Sequence, residues 1–183
     1  RYSPESGSSY NFSSNSLYED FSQLCSSLER DYIDSILLHC SNINSRVNVE
    51  DGLHTLKEIK AKGYVGSFGS SCKTLNDVEI ALKVGVDIIM IEPDLYKHVR
   101  DFTLKSKLAI GIIIKKVFSS GNMFSQDNNV DPGEILNSYL EDPFVTSVVI
   151  GTIDKTHLYS NLSALKKTDF GCWLMLELRR ILM

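Results

Sequence analysis

His39 closes the apolar run Ile33 to Leu38, and a histidine at the end of a buried strand can shuttle a proton or donate a hydrogen bond near neutral pH. The position equally suits a half-buried imidazole satisfied by a nearby carbonyl, so this residue alone leaves both roles open. Lys115 and Lys116 end a second apolar run. Desolvated, one of them could form a Schiff base or sit on a phosphate; turned into solvent, they would do neither. Glu92 and Asp94 offer paired carboxylates for acid/base work, but Pro93 between them favours a turn. Ser70-Ser71 supply hydroxyls. Gly151-Thr152 before a helix would offer backbone N–H groups to an anion, although glycine there also marks a plain strand-to-helix corner. No GxGxxG follows a strand and no Walker A sequence is present, which counts against the usual nucleotide folds. Cys25, Cys40, Cys72 and Cys172 show neither CxxC pairing nor zinc-type spacing, so no metal site is expected.

These residues need elements to bring them together. Residues 1–16, rich in Ser, Asn, Tyr and Gly, read as a loop or tether. Leu17, Phe21, Leu24 and Leu28 then recur at helical spacing, with Ser14 or Ser16 as the cap, before the strand Ile33 to Leu38. Leu53, Leu56 and Ile59 share a helix face that should stop at Gly63, and Val65 to Ser70 is strand-like. Thr74 caps a helix ending at Gly85, and Val86 to Ile91 is an apolar strand. A polar-faced helix from about Lys97 to Lys107 leads into the strand Leu108 to Ile114. A long loop from Ser119 ends at Asp131-Pro132, a good helix start; Val145 to Ile150 is the last strand, with a helix from about Lys155 to Leu165 beyond. Phe170 to Met183 reads as one more helix.

Strands apolar on both faces, alternating with amphipathic helices, predict an α/β chain with a parallel sheet covered by helices. An open doubly wound sheet and part of a (β/α)8 barrel both satisfy the pattern. In either, the functional edge is the C-terminal end of the strands, where His39, Ser70-Ser71, Glu92 with Asp94, Lys115 with Lys116 and Gly151-Thr152 fall.

Composition narrows the function classes. The 183 residues carry a net charge of -4 and a pI near 5.6, so a sequence-independent grip on nucleic acid is not expected. No apolar run approaches the roughly 20 residues of a bilayer span, and no signal segment opens the chain. The cysteine pattern suggests reduced thiols in a cytoplasmic protein.

Four segments taken in order resemble the aldo-keto reductase family. Arg30-Asp31-Tyr32-Ile33-Asp34 with Ile36-Leu37-Leu38-His39 is similar to that family's fourth-strand signature. Leu56-Lys57-Glu58-Ile59-Lys60 through Gly63, then Gly69-Ser70-Ser71, resembles its next helix and fifth strand. Ser147-Val148-Val149-Ile150-Gly151-Thr152, with His157-Leu158 and Asn161-Leu162 beyond, resembles its eighth strand and cofactor-clamping helix. The resemblance runs from residue 17 to about 165, leaving 166–183 as a helical extension.

The resemblance implies a (β/α)8 TIM barrel, of which this chain holds the C-terminal portion. It also implies an oxidoreductase that passes hydride from a nicotinamide cofactor, usually NADPH with NADH not excluded, to a small carbonyl substrate. His39 would polarise or orient the carbonyl and Ser71 would meet the nicotinamide carboxamide. Lys115, Lys116 and the loop to Gly121 would lie along the pyrophosphate; Thr152, His157 and Asn161 would line the adenosine end. Some positions depart from the family pattern. Cys72 stands for an Asn, Met90 for a Gln, Lys115 for a stacking aromatic, Ser160 for a Glu and His157 for an Arg. Arg1-Tyr2 resembles the loop after the third strand, which places the catalytic Asp, Tyr and Lys of the family before Arg1. A full barrel takes ~250 residues. The expectation is therefore a preceding segment, or a partner chain, that completes the ring, with little turnover by these residues alone. Two other readings fit the same residues: a non-catalytic cofactor-binding or subunit-type domain, and an aldolase with Lys115 as its Schiff-base lysine.

Overall fold

Ser13, Asn48, Thr74, Asp131 and Asp154 each precede a helix and accept a backbone N–H from its first turn, so local chemistry fixes five of the helix starts. A computed structural model describes residues 2–3, 7–8, 10–40, 48–119, 131–152 and 154–165. Two compact units emerge, Arg1–Ile113 and Ile114–Met183.

In the first unit, β1 (Tyr2–Ser3) pairs antiparallel with β2 (Gly7–Ser8) inside the segment expected to be loop. Pairing this short leaves no periodicity to read. Helix α1 (Ser14–Leu28) is capped by Ser13, one residue ahead of the first anticipated cap, Ser14. Strand β3 (Ile33–His39) follows, then α2 (Val49–Ala61), β4 (Val65–Ser71), α3 (Leu75–Val84), β5 (Ile88–Ile91) and α4 (Pro93–Ser106). Strand β6 (Gly111–Lys115) reaches the division between the units. Thr74 caps α3 and Gly85 ends it in the left-handed conformation (φ 79°), as the sequence led us to expect; Asp77 adds the reciprocal half of a capping box.

Helix α4 differs from expectation. It starts at Pro93, four residues before Lys97, because a proline at the first helical position loses no hydrogen bond and already holds the helical φ. Glu92 is thus the residue before a helix and Asp94 lies exposed in its first turn, rather than the two flanking a turn as a carboxylate pair.

In the second unit, α5 (Pro132–Leu140), β7 (Val145–Val149) and α6 (Lys155–Ala164) follow one another. The expected C-terminal helix lies outside the described residues.

The five longer strands form a parallel sheet in the order β3-β4-β5-β6-β7. Strict sequential adjacency separates the two candidate architectures: a doubly wound sheet reverses direction at a switch point, whereas barrel strands add one beside the next. The burial of these strands also differs from expectation. Ile89, Ile91 and Ile112 are fully buried, while the alternating residues Ile88, Met90, Gly111 and Ile113 are only half-buried. One face therefore packs and the other does not, although all these side chains but Gly111 are apolar.

The packed face carries the core. Leu53, Leu56 and Ile59 from α2, Phe68 from β4, Val78 and Ala81 from α3, and Ile89 and Ile91 from β5 are at most 2% exposed. Each of the large ones contributes about 1.5–3 kcal/mol by leaving water. Asp87, just before β5, ties that strand's start to β4 and β6. Its carboxylate accepts Lys60 Nζ (2.6 and 2.7 Å) and the Phe68 amide (3.0 Å), its own N–H donates to Phe68 O (3.0 Å), and its carbonyl accepts the Gly111 amide (2.8 Å).

Candidate functional site

The finishing ends of β3, β4 and β5 align side by side. Parallel register places His39 opposite Ser71 and Ser71 opposite Met90. The backbone ladder continues one residue further, with Cys40 N–H donating to Ser71 O (3.1 Å) and Cys72 N–H to Met90 O (2.8 Å). Side chains alternate along a strand, so His39, Ser71 and Met90 share one face. On it, His39 is exposed, Met90 half-buried and Ser71 buried at 6%. Ser70 belongs to the opposite face, fully buried with its Oγ 3.2 Å from Cys40 Sγ. Of the two adjacent hydroxyls, only that of Ser71 therefore accompanies His39. Cys72 is fully buried, its Sγ 3.9 Å from Ser70 O.

Tyr10 joins this rim, and sequence reasoning missed it. Its ring stacks on the His39 imidazole, the centroids 6.1 Å apart and the planes 24° apart. The only available signal was a Tyr and a Phe two residues apart in an otherwise small, polar stretch.

The second unit holds the other candidates. Lys115 ends β6 half-buried, and Lys116 is exposed in a left-handed turn (φ 55°) whose carbonyl accepts the Ser119 amide (2.8 Å). Gly121, like Met123, Phe124 and Gln126, lies outside the described residues. At the start of α6 the backbone amides are already engaged, since Asp154 Oδ1 accepts Thr156 N–H (2.7 Å) and His157 N–H (3.3 Å). These two bonds hold the Asp154 carboxyl below its ordinary range. Thr152 Oγ1 accepts Asp154 N–H (3.1 Å). His157 is exposed on the first turn of α6, and Asn161 is buried at 8% one turn later. An anion at this helix terminus would face a carboxylate that occupies its natural donors.

Among the described residues no group of three or more His, Cys, Asp or Glu could hold a metal ion, and no helix is long and apolar enough to cross a membrane.

Comparison with known proteins follows the same lines. No curated protein matches the sequence. Among solved structures, a protein of Pseudomonas aeruginosa assigned to the aldo-keto reductases superposes with a TM-score of 0.67 at 24% identity, over 85% of this chain and 58% of its own. An aldo-keto reductase from Bacillus halodurans gives 0.68 at 15% identity over 87% and 64%, and one from Brucella melitensis 0.62 at 18% over 84% and 62%. The chain thus spans less than two thirds of the length of each structure, and identities this low speak for the fold. The profile of the aldo/keto reductase family matches residues 3–102, more than half of the sequence and the whole of the His39–Ser71–Met90 rim. With strands added sequentially and in parallel, this match over more than half of the sequence makes the chain a member of the aldo/keto reductase family.

Proposed function

We propose that the intact protein reduces a small carbonyl compound with a nicotinamide dinucleotide. The observation that carries this reading is the row His39–Ser71–Met90 on one sheet face at the finishing ends of parallel strands, the edge where barrel enzymes hold their sites. An exposed imidazole beside a buried hydroxyl suits a carbonyl next to a carboxamide. His39 donates a hydrogen bond to the carbonyl oxygen and orients it, and Ser71 holds the carboxamide. Lys115 and Lys116 neutralise the pyrophosphate, with Gly121 in the same loop, while Thr152, His157 and Asn161 contact the adenosine end. When bound, the dinucleotide supplies the two-electron reducing equivalent. Further strands, in the same polypeptide or a partner chain, carry the acid and its partners and complete the ring. Thiol-form Cys25, Cys40 and Cys72 accord with a reducing, cytoplasmic setting.

One observation favours NADH over NADPH. The Asp154 carboxylate holds the amides of Thr156 and His157 and stays ionised, so it repels a 2′-phosphate and can accept a ribose 2′-hydroxyl. Asp154→Asn should shift the ratio of dissociation constants toward NADPH by about tenfold, one charge contact's worth of binding free energy.

The intact protein should oxidise NADH in the presence of an aldehyde, and His39→Gln should lower kcat by about 100-fold or more. Dinucleotide binding without oxidation against a panel of aldehydes and ketones would overturn the reductase reading in favour of a non-catalytic domain.

A further inference from the structure

The contact between Tyr10 and His39 is set by the core beneath it. Tyr10 meets Phe12 edge to face, centroids 6.2 Å apart and planes 77° apart. Phe12 is itself only 9% exposed. A Cβ built on Gly52 of α2 would lie 2.9 Å from Phe12 Cβ and 2.9 Å from Leu38 Cδ1, so both side chains close on the bare backbone of that glycine. Leu38 precedes His39 and Phe12 follows Tyr10 by two residues; one buried cluster therefore sets the position of both rings. Either side of Phe12 the chain is held as well. Ser13 N–H donates to Asn11 Oδ1 (3.1 Å), and Ser13 caps α1. His39 in turn is fixed at its backbone by the pairing with Ser71.

We infer that Tyr10 is a positioning residue for His39: the stacked phenol fixes the plane of the imidazole and thereby decides which edge it turns toward the face it shares with Ser71. Backbone pairing sets where the histidine begins and does not by itself set its two side-chain torsions. Those torsions govern whether a ring N–H reaches a reacting oxygen, and small misplacements of such a donor are costly in rate. A ring laid nearly parallel to the imidazole removes most of that freedom, and the nearby Phe12 keeps the tyrosine from following its neighbour outward. The structural half of this inference stands on the contacts alone; its catalytic half rests on the reductase reading.

The test uses the intact protein with Tyr10→Leu and Tyr10→Phe. The imidazole proton resonances of His39, assigned by their loss in His39→Gln, should be displaced by the ring current of Tyr10. Tyr10→Leu should abolish that displacement and Tyr10→Phe should keep it. In carbonyl reduction Tyr10→Leu should lower kcat by up to about 100-fold with the Kd for dinucleotide unchanged, and Tyr10→Phe should restore it. Unmoved His39 resonances in Tyr10→Leu, or a wild-type kcat in that variant, overturns the inference and leaves the reductase reading standing. A wild-type protein that reduces no carbonyl sinks the reductase reading instead, and the His39 resonances alone then decide the stacking role.

Discussion

The segment from β4 to β5 and the segment from β7 to α6 follow the same strand-and-helix plan yet bury themselves very differently. In the first, β4 has five of its seven residues buried and α3 buries Val78, Ala81, Leu82 and Val84. In the second, no residue of β7 is fully buried, α6 buries only Asn161, and Val149, Leu158 and Tyr159 are 42%, 37% and 48% exposed. Both helices nevertheless begin on a well-made side-chain cap. Capping is local chemistry and forms wherever the residues permit; burial needs a matching surface, and Lys155–Ala164 offers only Leu158 and Leu162 as an apolar stripe.

That contrast can be broken or sharpened by substitution. The largest expected effect is Phe68→Ala, which empties the centre of the packed face and should cost about 3–5 kcal/mol in urea denaturation. Asp87→Ala strands the Lys60 ammonium and the Phe68 amide together and should cost about 1–3 kcal/mol. The cap variant Thr74→Ala removes about 1 kcal/mol from α3, and Asp154→Ala frees the Thr156 and His157 amides at the start of α6. Thr74→Ala should lower the global midpoint, whereas Asp154→Ala should appear only as faster amide exchange within α6. Equal shifts of the midpoint would erase the distinction. Acid probes the same cap. Because Asp154 has its carboxyl held below the ordinary value of 3.8, its contribution is present above that pH and is lost as pH falls through the folded-state value. Protection of the Thr156 and His157 amides, corrected for intrinsic exchange, should therefore persist at pH 4 and fade below it, and should lose this dependence in Asp154→Asn. The smallest effect is Leu158→Ser, expected within about 0.5 kcal/mol of wild type.

The residues that were legible in the sequence are those whose signals are local. Thr74 and Gly85 announced the two ends of α3, and the run Ile33 to Leu38 announced β3 with His39 at its end. Pro93 misled because one residue type can close a turn or open a helix, and only the tertiary setting of α4 decides. The choice between Ser70 and Ser71 waited on register, since a shift of one residue exchanges the faces of a strand. Tyr10 was beyond reach for a different reason: its partner lies across a helix and a strand, and no periodicity links them. The half-exposed alternation of Ile88, Met90 and Ile113 was also hidden, because hydrophobicity records what a side chain prefers and not what is there to cover it.

Asp87 separates maintenance from innovation in this molecule. One carboxylate and its flanking peptide tie the start of β5 to both neighbouring strands, whereas at the opposite ends the strands are joined by backbone pairing, which any side chain permits. An exposed side chain such as His39 can then be exchanged in a lineage or a library with less penalty to folding than the aspartate, so new specificities should be easier to select at that rim.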